Sequence, residues 1–174
     1  MFDVVDLREA RIEDARAIAD VSVASRRSAR RGLYAPSYLD GLSVEPVVAE
    51  VREFLEKPAD GWRVWVAEEA GMVVAFAKAG PWPGDDSALG SLAELDELYV
   101  DSSRFRRGIG TRLLRFVEAE LAAAGFDRAV LWVLEDDRVA QAFYLANGWR
   151  SGDRSKELLK DRPRVVRLWH KTLA

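Results

Sequence analysis

The chain has 174 residues, enough for one domain with a sizeable core and cramped for two. Its 26 Lys and Arg against 29 Asp and Glu leave a net charge of −3, which points away from a protein that holds nucleic acid or a membrane by bulk charge. Cysteine is absent and His170 is the one histidine, so thiol catalysis, disulfide staples and a Cys/His zinc site are excluded together.

Met1 to Ala10 carries Asp3, Asp6, Arg8 and Glu9 with no apolar stretch of signal-peptide length, and no run approaches a membrane span. A cytoplasmic protein is expected. Without internal repeats or a linker-like shift in composition, residues 1–174 read as a single unit. Val4 to Leu7 reads as a short strand. It leads into a helix marked by Ile12, Ala15, Ile18, Ala19, Val21 and Val23, which fades near Gly32. Pro36 and Gly41 then mark a loop. Ser43 is placed to cap a helix with Pro46 in its first turn and Val47, Val48, Val51, Phe54 and Leu55 along one stripe, ending before Pro58. Trp62 to Glu68 and Met72 to Ala79 read as an antiparallel hairpin, and the Pro81 to Asp86 run as loop. Leu92 to Val100 is the next strand. A helix follows with the stripe Ile109, Leu113, Phe116, Val117 and Leu121, closed by Gly125. Ala129 to Leu134 is a buried strand, Val139 to Ala146 a helix closed by Asn147-Gly148, and one or two strands including Arg164 to Trp169 end the chain. This order predicts a mixed α/β sheet without the regular alternation of a doubly wound fold.

The chemically informative stretch runs from Leu98 to Thr111. A strand passes into a loop carrying Arg104, Arg106 and Arg107, and Gly108 and Gly110 then open an amphipathic helix. Unpaired backbone N–H groups and the positive helix end converge there, which makes an anion site. The Walker A pattern fails because no lysine follows the glycines. The dinucleotide fingerprint is met only in its first two glycines, since Leu113 takes the third place.

Arg107-Gly108-Ile109-Gly110, followed by Leu113 and Leu114, resembles the coenzyme A pyrophosphate loop of the GNAT superfamily of N-acetyltransferases, with Phe105 at its usual Gln/Arg position. A second block, Leu131 to Glu135, then Ala140 to Tyr144, then Asn147-Gly148-Trp149, is similar to that family's later strand, helix and closing motif. Val5 to Arg16 resembles its entry strand and helix. The resemblance implies an α/β fold with a mostly antiparallel central sheet, split in a V and flanked by helices. It implies acetyl-CoA as cosubstrate, its pantetheine arm on the main chain of Leu98, Tyr99 and Val100 and its pyrophosphate on Arg106, Arg107, Gly108, Ile109, Gly110 and Thr111. Asp137 stands where the family usually has an Asn that contacts the pantetheine arm, and a carboxylate cannot donate as an amide does. Direct attack of an amine needs no covalent enzyme intermediate. It needs a base to neutralise an ammonium and an acid for the departing thiolate. Glu94 is the first candidate base and Glu97 the second, while Tyr144 is implied as the general acid beside the cofactor. Plain alternation puts Glu94, Asp96, Leu98 and Val100 on one face of the strand and Glu97 and Tyr99 on the other, unless a bulge shifts it.

The acceptor is a small-molecule or peptide amine of unassigned identity. The competing readings are a non-catalytic acyl-CoA sensor and an acetyltransferase of a protein or tRNA amine. The last draws on Arg26, Arg27, Arg30 and Arg31, which otherwise read as a solvated helix end. Trp82 with Asp85 and Asp86 instead suits a cationic acceptor. His170 and Trp62, Trp65, Trp132 and Trp149 read as structural. A homodimer is common among similar proteins, and nothing in the sequence marks an interface.

Overall fold

The structure is a computed structural model that describes residues 5–84, 90–159 and 163–173. It contains β1 (Val5–Glu9), a 3-10 turn (Ile12–Asp14), α1 (Ala15–Ala29), α2 (Pro36–Asp40), α3 (Val44–Glu56), β2 (Arg63–Glu69), β3 (Met72–Pro81) and β4 (Leu92–Val100). A second 3-10 turn (Ser102–Arg104), α4 (Ile109–Ala123), β5 (Arg128–Leu134), α5 (Arg138–Ala146), β6 (Arg150–Leu159) and β7 (Pro163–Thr172) follow. The strands form one sheet in the order β1-β2-β3-β4-β5-β7-β6, antiparallel throughout except where β4 meets β5. This is the mixed, mostly antiparallel sheet expected.

Alternation divides the sheet into two faces with different partners. On one, the small side chains Ala75, Ala77 and Ala79 of β3 let α4 lie close. Leu113, Leu114, Val117 and Leu121 join them, together with Leu95, Leu131, Val133 and Trp149, in the largest core cluster. On the other face, Ile18 and Val21 of α1 pack on Val64, Val66 and Phe76, with Val51, Phe54 and Leu55 of α3 against the same group. A third cluster places Tyr34 and Leu39 on Leu134 and Val166 at the β5–β7 end of that face.

Two expectations change on contact with the structure. Pro36 and Gly41 do not mark a simple loop: Pro36 occupies the first turn of α2, where its missing N–H costs nothing, and the buried Leu39 anchors the turn. Ser43 does sit at the N-cap of α3, although its side chain makes no capping bond. The alternation along β4 also changes. Lys78 pairs with Glu97 but Ala79 pairs with Leu95, so Asp96 is an extra residue, a β-bulge. Beyond it Glu97 and Tyr99 pair with Lys78 and Phe76, while Glu94 pairs with Gly80. Cross-strand partners share a face, so Glu94, Glu97 and Tyr99 all stand on the α1 side. Leu95, Leu98 and Val100 stand on the α4 side.

The parallel pairing of β4 with β5 covers only Leu92, Ala93 and Glu94 against Arg128, Ala129 and Val130. After Glu94 the two strands part. The rest of β5 pairs with β7 alone, the rest of β4 with β3 alone, and a V-shaped split opens between them. Among the described residues no helix is long and apolar enough to cross a membrane.

Leu113 is fully buried between α4 and the sheet. Leu113→Ala is expected to lower the unfolding free energy by about 2–5 kcal/mol, read from the urea midpoint.

Candidate active site

The arginine loop meets the split where β4 ends. Asp101 caps the 3-10 turn by accepting from Ser103 N at 2.9 Å, and Asp101 N donates to Val74 O at 2.8 Å. That bond turns the main chain of residues 99 and 101 toward β3, so the polar groups of Leu98 and Val100 face the split. The Val100 carbonyl accepts from the Ser25 hydroxyl of α1. Farther on, Arg106 and Gly108 both adopt positive φ, 62° and 78°. Gly108 caps α4 with no side chain over the first N–H groups of the helix, and a Cβ built on it would meet nothing within 4 Å. Those N–H groups have no side-chain cap, a cradle that suits an anionic group such as a pyrophosphate. A Cβ on Gly110 would touch Val100 at 3.4 Å and Phe143 at 3.5 Å, so this glycine keeps β4, α4 and α5 in close register. Ile109 lies in the core and offers the cradle only its main chain, whereas Thr111 is partly exposed.

The three arginines divide their work. Arg104 Nε donates to Glu69 Oε2 at 2.9 Å and its Nη1 to Asp101 at 2.8 Å, while Arg107 Nη2 donates to Glu69 Oε1 at 2.8 Å. Both guanidinium groups thus hold one carboxylate at the end of β2 and fix the loop from behind. Arg106 is exposed and makes no ion pair among the described residues, so it is the arginine left to face a ligand. Glu69 was not singled out from the sequence. The signal was available, since it continues the buried stripe of Trp65 and Ala67 along β2, and a carboxylate on such a stripe needs cationic partners.

Beyond the apex of the split, Glu97 and Tyr99 of β4 meet the end of α1. Arg26 donates to Glu97 at 3.3 Å and lies over the Tyr99 ring, 5.6 Å from its centroid. Arg30 donates to the hydroxyls of both Tyr34 and Tyr99 at 3.0 Å. Arg27 reaches the carbonyls of Leu39 and Leu42. Arg26 and Arg30 are therefore built into the fold, contrary to the solvated helix end expected, whereas Arg27, though bonded to main chain, and Arg31 are exposed. Glu94 makes no ion pair among the described residues. Burial, and then the nearby Asp96 carboxylate, push its carboxyl above the ordinary range, with Lys156 and Lys78 opposing.

Tyr144 comes from below. Its ring packs edge-on to Phe143 and Trp149. Burial pushes its phenol well up, with Tyr99 and Asp137 adding to the shift and Arg30 opposing it, so the hydroxyl keeps its proton. Asp137 is turned to its own helix, accepting from Ala140 N at 2.9 Å as the α5 cap. Trp149 is fully buried and donates to Glu118 at 2.8 Å. Trp82 and Trp132 stand 6.2 Å apart beside the Glu94 face, while Asp85 and Asp86 lie outside the described residues. His170 is exposed on β7.

This geometry has counterparts among known proteins. The model of the acetyltransferase (GNAT) family matches residues 28–149. The uncharacterized N-acetyltransferase YuaI of Bacillus subtilis (strain 168) is 32% identical over 141 residues, covering 77% of this chain and 74% of its own. The PaiA N-acetyltransferase from Thermoplasma acidophilum, solved in complex with coenzyme A, superposes with a TM-score of 0.74 at 20% identity over 97% of this chain and 99% of that one. The yncA protein of Salmonella typhimurium, a solved structure with acetyl-CoA, gives a TM-score of 0.71 at 18% identity, covering 98% of this chain and 95% of that one.

Glu69→Ala removes the carboxylate that Arg104 and Arg107 share. It is expected to lower stability by about 1–3 kcal/mol, less than for a fully buried pair because the Arg107 side chain is 44% exposed. Urea unfolding reads this, and an unchanged midpoint would mean that α4 alone holds the loop.

Proposed function

The chain belongs to the acetyltransferase (GNAT) family, and from that premise we propose that it is an acetyl-CoA-dependent N-acetyltransferase that moves the acetyl group directly to a primary amine of a small molecule or peptide. The observation that carries this reading is the split itself, with an uncapped anion cradle at one end and, at its apex, a partly buried carboxylate that makes no ion pair among the described residues. When bound, acetyl-CoA supplies an activated acyl carbon. The α4 N–H groups of Ile109, Gly110 and Thr111, with Arg106, hold its pyrophosphate, and the main chain of Leu98 and Val100 lines the pantetheine path. Arg107 acts one step back, by holding the loop on Glu69.

Glu94 is the base. Glu97 shares its face but is neutralised by Arg26, whereas Glu94 is free to take the ammonium proton, and its raised carboxyl is the better matched acceptor. Tyr144 is the acid, because a phenol whose ionisation is suppressed by burial is fully protonated and available to the thiolate. Arg26 and Arg30 are engaged inside the fold and Arg27 is bonded to main chain, which weakens the case they made for a protein or tRNA acceptor.

The test begins with thermal-shift titrations against CoA, acetyl-CoA, NAD and ATP. A ligand at about 100 times its Kd adds roughly 2.7 kcal/mol of stability. Stabilisation by CoA and acetyl-CoA alone, followed by CoA release on adding primary amines, is expected. Binding without release on any amine would favour the sensor reading.

Two variants address the roles. Tyr144→Phe should leave acetyl-CoA binding intact and lower turnover by about 100-fold, and unchanged turnover would remove Tyr144 as the acid. Glu94→Gln should abolish the acid limb of the pH–rate profile. It should also affect stability in the opposite sense to activity. The raised carboxyl means that the folded chain holds the Glu94 proton more tightly than the unfolded one, so wild-type stability falls as pH rises through the interval between the two values. The variant lacks that fall. Its urea midpoint should exceed the wild-type midpoint at neutral pH, with the gap closing in acid.

A further inference from the structure

Lys156 of β6 holds an unusual place. Its ammonium sits 4.1 Å from the centroid of the Trp132 ring, and it makes no ion pair among the described residues. The other described lysines near the sheet are committed elsewhere: Lys78 to Asp96 at 3.0 Å, Lys171 to Glu118 at 2.6 Å and to the Asn147 carbonyl at 2.9 Å. The sheet register says where the Trp132 ring lies. Glu94 pairs with Val130 at the last closed rung before the split, and Trp132 is two residues farther along β5 on the same face, about 6.6 Å away along the strand. A primary ammonium is thereby parked on an aromatic plane near the apex of the split, on the face that carries the proposed base. Its charge bears on Glu94. Lys156 is exposed at the end of a flexible four-carbon stem, so its nitrogen can leave the ring and enter the split.

We infer that Lys156 is an acceptor in its own active site, so that the chain acetylates this side chain from acetyl-CoA without a second molecule. The inference rests on the acetyltransferase reading above. The Lys156 ammonium gives one proton to the Glu94 carboxylate. The freed lone pair forms a C–N bond to the acetyl carbon, and the C–S bond breaks. Tyr144 gives its proton to the thiolate and recovers one from the nitrogen, and Glu94 passes its proton to solvent. Acetyl-CoA and the ammonium thus become the N-acetyl side chain, CoA as thiol and one proton. The product is uncharged. It no longer places a cation on Trp132 or beside Glu94.

The experiment incubates the full chain with isotopically labelled acetyl-CoA and follows each lysine by peptide mass mapping, with free primary amines acetylated in a parallel reaction. The exposed Lys57 serves as the internal control for uncatalysed acylation. The expected result is label on Lys156 accumulating about 100-fold faster than on Lys57, at a rate unchanged by dilution of the protein, with that excess lost in Glu94→Gln. Lys156 labelled no faster than Lys57, or at a rate that falls with dilution, would overturn the inference. If Lys156 stays unlabelled while free amines are acetylated, only this inference fails. If neither is acetylated, the acetyltransferase reading fails with it. A second measurement needs no acetyl-CoA: Lys156→Gln should raise the Glu94 carboxyl midpoint, followed by carbon NMR, because a neighbouring cation has gone. An unmoved midpoint would put Lys156 out of reach of Glu94 and overturn the proposal.

Discussion

Everything at the site follows from the place where β4 and β5 stop pairing. Three rungs of parallel ladder, Leu92 to Glu94 against Arg128 to Val130, hold the two halves of the sheet together. Beyond them each strand keeps a partner on its far side only. Backbone groups that elsewhere in a sheet would satisfy one another are left facing a gap, and such groups need a ligand or water. The gap is kept open by what is packed on either side of it. Ser25 of α1 bonds the Val100 carbonyl, and Gly110 brings α4 against Val100 and Phe143.

The second determinant is one inserted residue. Asp96 breaks the alternation of β4 and so rotates Glu94 onto the face that already carries Glu97 and Tyr99. The two glutamates then diverge because their neighbours differ. Arg26 claims Glu97, while Glu94 stays half-buried with the Asp96 carboxylate nearby and Lys156 and Lys78 opposing it. Two chemically identical side chains three residues apart thus acquire different partners from packing alone.

The glycine loop, the strand before it and the α4 stripe were legible from the sequence because their signals are local: a turn-forming glycine, an alternating run, a helical spacing of apolar residues. The hairpin and the β4 span were legible for the same reason. What was not legible depends on partners distant in the chain. Nothing around Asp96 distinguishes a bulge from a regular pleat until β3 is laid beside it. Arg104 and Arg107 look alike to Arg106 until Glu69, some 35 residues earlier, is found between them. Arg26 and Arg30 resemble any charged helix end unless Glu97 and Tyr99 are known to lie opposite. Pro36 was misread for a different reason, since proline breaks a helix interior but suits a first turn.

The opening between β4 and β5 also changes how many free margins the sheet has. A seven-stranded sheet ordinarily exposes two, here β1 and β6, and these carry Asp6 and Arg8 on one side and Arg150, Asp153, Arg154 and Lys156 on the other. Charged borders of that kind discourage strand-by-strand growth into aggregates. The divergence adds two more margins in the middle of the molecule. These lie between α1 on one face and the α4–α5 layer on the other, which flank the space that an added strand would have to enter. The same unpaired backbone that would make an outer strand sticky is in this position protected by its surroundings, and the protein can keep a vacant ladder without the hazard such a vacancy brings at a surface.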